Sequence, residues 1–184
     1  MENKKLLEQS FVKWGLYLGL ISIIITFTLY MIDVALMVSG WVSLITYALI
    51  VVFYVLSAKQ ERSERGGYLS YGQAVINSLG VNVMYALISI IFTALLYNVI
   101  DPGLAEQIKE ITLEKLASTF ESMGMDPDAV DSAMASAEER SFDQDFRSLA
   151  TAFLALVAIN FVLGLIVSIF TRKNPPLFEA EEEA

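Results

Sequence analysis

An all-α integral membrane protein of four transmembrane helices, with a helical extracytoplasmic hairpin between spans three and four, is the fold class this sequence predicts. Three observations predict it. The 184 residues are 55% hydrophobic and only 18% charged, with a mean hydropathy of +0.57, where soluble chains carry about 25% charged residues. Four runs contain no charge at all: Trp14–Ile32, Val34–Ala58, Gly66–Ile100 and Ser148–Thr171. Basic residues fall on alternate sides of those runs. A helix needs about 20 apolar residues to cross a hydrocarbon core about 30 Å thick, and buried helices of a soluble protein would need polar outer faces that these runs lack.

The first, second and fourth runs each fit one crossing. The first exceeds a usual signal-peptide core and has no small-x-small site after it, so it reads as a retained helix. The third is too long for one straight crossing and too short for two; its span is placed at Val75–Asn98, leaving "GGYLSYGQ" outside the core. The resulting division is 1–98 for the first three helices, with a cytoplasmic loop at 59–74, then 99–148 for an acidic outer loop. The fourth helix takes 149–171, and 172–184 forms a disordered acidic tail.

Lys4, Lys5 and Lys13 precede the first span. Lys59, Arg62 and Arg65 follow the second, and Arg172 and Lys173 follow the fourth. The positive-inside rule then puts both termini and the 59–65 loop in the cytoplasm. Asp33 and the 99–148 loop fall outside the cytoplasm. That loop has four basic residues against twelve acids, and with Asp33 the outer side carries the whole net charge of −9. Nucleic-acid binding has no basic footprint here. With no Cys and no His, disulfides, thiolate sites and the commonest general base are excluded.

The stretch "RGGYLSYGQA" (65–74) reads as a stop, an anchor and a start. Gly66-Gly67 ends the second helix in the left-handed region. Tyr68 and Tyr71 suit the headgroup layer, and Ser70-x-x-Gln73 is a capping-box pattern. An alternative stands beside this: Arg62, Arg65, Gly67, Tyr68 and Tyr71 form a candidate site for a lipid headgroup.

No span contains Asp, Glu, Lys or Arg in its body, which argues against a proton relay. The small and polar residues lie in stripes. Ser78, Asn82, Ala86, Ser89 and Thr93 share one face of the third span, and Asn160, Gly164 and Ser168 one face of the fourth. Gly15-x-x-x-Gly19 marks the first. Small residues let backbones approach and buried amides bridge them. These residues are therefore candidates for helix packing, or for a polar groove that takes a lipid or a partner helix. As the third and fourth spans run antiparallel, Asn82 is expected opposite Gly164 or Ser168.

In the outer loop, Asp101-Pro102 and Asp126-Pro127 look like helix starts, giving helices over 102–123 and 127–140 that extend from spans three and four. Val130, Ala133, Met134 and Ala137 make a narrow apolar face on the second. Phe142, Phe146, Leu149 and Phe153 start the fourth helix before its span. Asp126-x-Asp128-x-x-Asp131 lacks the glycine and distal Glu of a calcium loop, so no metal and no cofactor is expected.

"GGYLSYGQA" before an apolar span, "IDPGLAEQI" after it and the N-terminal "WGLYLGL" resemble the bacterial membrane family called domain of unknown function 4199, over about Lys4 to Lys173. The resemblance implies a small multi-span inner-membrane protein of Gram-negative bacteria. The family has no established activity, so it carries over no catalytic residues. The expected role is non-catalytic: a scaffold or accessory partner of another membrane protein, or a self-associating bundle, in contact with membrane lipids. The alternative is handling of a lipid or lipid-linked carrier through spans three and four.

Overall fold

The computed structural model describes residues 10–138 and 145–175. Among the described residues seven α-helices run in order: α1 (Ser10–Ile32), α2 (Val34–Met37), α3 (Gly40–Glu64), α4 (Tyr71–Leu95), α5 (Leu104–Ser122), α6 (Pro127–Glu138) and α7 (Phe146–Thr171). A π-turn, Leu96–Ile100, continues α4. Four of these segments are long and apolar enough to span a bilayer: α1, α3, α4 with its π-turn, and α7, of 23, 25, 30 and 26 residues. At 1.5 Å per residue, 23 residues reach about 35 Å, enough for the hydrocarbon core.

Burial is inverted relative to a soluble bundle. Ile24 is 64% exposed, Ile91 67% and Leu154 65%, while Ser10, Ser57, Asn77, Ser78, Asn82, Asn160 and Ser168 are buried. Apolar side chains outside and small polar ones inside is the arrangement that lipid solvent favours. We call the end with Arg62, Arg65 and Lys173 the basic end, and the other the hairpin end.

Local chemistry sets the breaks. Asp33 ends α1 and caps α2, its carboxylate accepting the Ala35 amide at 2.8 Å. The run Val34–Ala58 is thus split into α2 and α3, with Ser39 as the N-cap of α3. At the far end α3 stops at Gly66 and Gly67, both left-handed, with φ of 72° and 94°. Ser70 and Gln73 form the expected capping box. This start puts Tyr71 to Ala74 inside α4, as the capping box implies, ahead of the span placed at Val75.

At the hairpin end, Pro102 lacks an N–H and holds Asp101 in an extended conformation. Asp101 accepts the Gly103 amide at 3.1 Å, and Gly103 is the N-cap of α5. The helix therefore starts at Leu104, two residues later than Pro102. Leu104 and Ile108 pack with Leu96 against Tyr30, Val34, Met37 and Val38, and Lys115 donates to the Ala35 carbonyl at 2.8 Å. So α5 folds over the α1–α2 turn instead of simply extending from α4. Val130, Ala133, Met134 and Ala137 of α6 are half-buried, and α6 packs on α5. The start of α7 at Phe146 is capped by Asp145, which accepts the Ser148 amide at 2.8 Å. Hydrogen bonds from Ser148, its hydroxyl first and its amide second, hold the Asp145 carboxyl below its ordinary value. Phe142, the end of the second hairpin helix at Arg140 and most of the acidic tail lie outside the described residues.

Candidate functional site

The packing stripes come together as internal seams. Gly15 and Gly19 of α1 face α4, which runs parallel to it: a Cβ on Gly15 would lie 2.5 Å from Met84 Cβ, and one on Gly19 2.7 Å from Ile88 Cδ1. Phe11 completes the register by lying against Gly80, 2.5 Å from the position of a Cβ there. On the other side of α4, Gly164 of α7 faces Ser78, whose Oγ is 2.8 Å from the same hypothetical atom. Asn82 Nδ2 donates to the Val157 carbonyl at 2.8 Å. Ala86 is fully buried and Ser89 half-buried. Ser168 bonds its own helix, donating to the Gly164 carbonyl at 2.7 Å.

Asn82 therefore meets the fourth span at Val157 and not at Gly164 or Ser168. Gly164 faces Ser78, one turn before Asn82 on α4, and on the antiparallel α7 the partner of Asn82 lies about two turns nearer the hairpin end.

Residues of the 65–74 stretch tie the basic end together. Leu69 and Lys173 exchange two backbone hydrogen bonds of 2.8 Å. The Lys173 ammonium sits 5.7 Å over the Tyr68 ring, and the Tyr71 hydroxyl makes a long 3.5 Å contact to the Leu165 carbonyl. Gly67 N–H closes the end of α3 on the Arg62 carbonyl at 2.8 Å. Arg65 is engaged by Glu61 at 2.7 Å. Of the five headgroup candidates, Gly67, Tyr68 and Tyr71 thus serve the loop's own closure, and the Arg65 charge is met within the chain.

Beside this loop lies a polar hub that the sequence pattern did not single out. Asn77 Oδ1 accepts from Ser10 Oγ at 2.9 Å and from Ser57 Oγ at 3.2 Å, and its Nδ2 donates to Ser57 at 2.8 Å. Ser10 also lies 2.6 Å from Glu61 Oε2, a carboxylate only 16% exposed. Trp14 Nε1 donates to Gln60 at 2.8 Å. These contacts join α1, α3 and α4. The available signal was that Asn77, Gly80, Met84 and Ile88 recur at helical spacing on a second face of α4, about 150° from the Ser78 stripe.

The middle of the bundle differs. The Tyr54 hydroxyl reaches the Asn160 carbonyl at 3.3 Å, but both the Nδ2 and Oδ1 of the fully buried Asn160 side chain lack a partner. Asn160 lines a cavity of about 230 Å³ between α1, α3, α4 and α7, with Leu18, Ile50, Tyr85 and Leu156. A second groove, of about 410 Å³, lies between α4 and α7; Ile91, Ala94, Phe146 and Phe153 are among its entirely apolar lining.

Among the described residues no acidic side chains gather into a set for a metal ion. Asp126 instead caps its own turn, accepting the Asp128 amide at 3.0 Å.

No curated protein and no solved structure matches the chain. Residues 13–173 match a family described as protein of unknown function (DUF4199), which takes in α1 to α7 apart from the first turn of α1. A match over that much of a multi-span α-helical bundle leaves one assignment: the chain belongs to the DUF4199 family.

Proposed function

We propose that the chain is a non-catalytic scaffold or accessory subunit of an inner membrane, and that it offers its acidic hairpin to a basic membrane-protein partner. One observation carries this reading. The base of α5 is fixed by Leu104, Ile108 and Lys115, while Glu106, Glu110, Glu114, Glu121, Asp126, Asp128 and Asp131 are all exposed. Among the described residues the ion pair is Arg65–Glu61, at the opposite end. A held surface with a large excess of one charge sign favours a complementary partner and speeds its capture.

In this reading the basic end is cytoplasmic with both termini, and 99–148 is periplasmic. A periplasm-active reporter fused at Ser118 should be active, and one at Arg62 silent; the reverse would overturn the orientation. Purification of the full chain in mild detergent should bring down a specific membrane protein. A variant with Glu110, Glu114 and Asp131 changed to Lys should lose it, as should raised salt. A partner retained equally by that variant, or none at all, would defeat the hairpin reading.

The alternative, lipid handling through spans three and four, has less support at that seam, because Ser78, Asn82 and Gly164 are taken up in packing. The open polar space lies among all four spans.

A further inference from the structure

The basic end carries an inference beyond the scaffold reading, which concerns the hairpin alone. We infer that Arg62, Arg172 and Lys173 form a binding site for the phosphate of an anionic phospholipid, with an acyl chain laid along the outer face of α7.

Two routes through the fold bring these residues together. The first is helix register. α3 and α7 both run from the hairpin end to the basic end. Tyr54 of α3 meets α7 at Gly164, its Cε2 3.5 Å from a Cβ placed there, and its hydroxyl reaches the Asn160 carbonyl. Eight residues further along each chain, about 12 Å on a helix axis, stand Arg62 and Arg172. Arg62 keeps to the face of Tyr54 and Ala58, at spacings of four. The second route is the loop. Ala58 packs on Leu69, and Leu69 exchanges its backbone hydrogen bonds with Lys173. The Lys173 ammonium is then held over the Tyr68 ring, 5.7 Å from its centre. A cation held in this way has less side-chain freedom to lose on binding.

The charge exceeds what the fold itself uses. Among the described residues the ion pair is Arg65–Glu61, and Arg62, Arg172 and Lys173 take no part in it. Glu64 is bonded by Gln60 and lies on the opposite face of α3 from Arg62. Cations beside a helix C-terminus also answer its dipole, but each terminus presents only about half a negative charge. The ends of α3 and α7 therefore take up about one of the three positive charges. The surplus faces outward, with Arg172 and Lys173 exposed and Arg62 half-buried.

Two guanidinium groups beside an ammonium suit a phosphate, whose several oxygens can accept from all three. A lipid is favoured over a free anion by what lies next to the cations. In the last turns of α7, Ile166, Ile169 and Phe170 are 50%, 50% and 81% exposed on one helix face, where an acyl chain can lie while its headgroup reaches the site.

The test uses the full chain in neutral detergent at about 0.15 M salt. The probes are dioleoyl phosphatidylglycerol, dioleoyl phosphatidylcholine and glycerol 3-phosphate, with bound adducts counted by native mass spectrometry. Phosphatidylglycerol should bind about tenfold more tightly than phosphatidylcholine, and glycerol 3-phosphate should not compete with it. Arg62→Gln, Arg172→Gln and Lys173→Gln together should abolish the preference. Lys4→Gln, Lys5→Gln and Lys59→Gln together remove the same charge from other positions and should leave it standing. Arg172→Gln alone, at an exposed residue beyond the end of α7, should weaken phosphatidylglycerol about threefold, which reads the site without relying on the triple variant. Equal binding of the two lipids, competition by glycerol 3-phosphate, or an Arg172→Gln chain with native affinity would overturn the proposal. So would an equal loss of preference in the two triple variants.

Discussion

Two buried asparagines lie about a turn and a half apart in depth within the same bundle. Asn77, near the basic end, has both halves of its amide engaged by Ser10 and Ser57 from two other helices. Asn160, toward the middle, has neither half engaged and borders an open cavity. At the basic end α1, α3 and α4 converge, and Glu61, Trp14 and Gln60 add further cross-links. Toward the hairpin end α3 leaves a space between itself and α1, α4 and α7. The contrast separates two uses of one residue type. A saturated amide fastens helices together, and an unsaturated one adds no such link.

The tight region should be the easiest to break. Gly15→Leu places a side chain where Met84 Cβ is 2.5 Å and the Val81 carbonyl oxygen 3.0 Å from the first added carbon. The carbonyl belongs to helix backbone and cannot step aside. We expect a loss of about 3 kcal/mol through overpacking, read by thermal melting in detergent. Gly40→Leu, where nothing lies within 4 Å, is the control. Equal losses at the two positions would mean that the α1–α4 seam is not close-packed.

Asn77→Leu should come next, at about 2 kcal/mol, because it leaves the buried Ser57 hydroxyl without the amide that serves it. A variant that melts like the native chain would remove the hub from the account of how the basic end is held.

These contacts also show what the sequence could and could not disclose. The four crossings were legible because they depend only on the length of charge-free runs. The left-handed stop at Gly66-Gly67 and the Ser70–Gln73 capping box were legible because both are local. The faces of the Ser78–Ser89 and Asn160–Ser168 stripes were legible from helical spacing alone. Register was not: a stripe gives a face but no depth, and Asn82 meets α7 at Val157, about two turns from Gly164. The Asn77 hub was not legible either, since its partners Ser10 and Ser57 are 67 and 20 residues away in the chain. The cavity was hidden for a third reason. It exists through what α3 fails to touch, and no residue pattern records an absent contact.

Between the two regions' extremes lies the loop that closes the basic end. Gly67 has φ of 94°, and an added Cβ there meets nothing within 4 Å. The cost of replacing it is therefore backbone strain alone. Gly67→Val should lose about 1–2 kcal/mol, and Gly67→Asn less, since Asn tolerates positive φ. Identical melting of the two variants would show that the loop relaxes and that its bridge to Lys173 contributes little.

The smallest expected effect sharpens the comparison most. Asn160→Leu is the same chemical change as Asn77→Leu, made in the same bundle and at equal burial. In the unliganded protein the Asn160 side chain gives up no hydrogen bond, because it makes none. The backbone carbonyl that Tyr54 uses is retained. Leu is close in size to Asn and faces Leu18, Ile50 and Leu156, so packing should hold or improve. Removing an unpaired buried amide is near neutral or favourable, and the variant should melt within about 1 kcal/mol of the native chain, on the stabilising side. A loss approaching that of Asn77→Leu would mean that Asn160 is tied into the bundle after all, by ordered water or by a contact to Asn82. The difference between the two halves would then be one of degree.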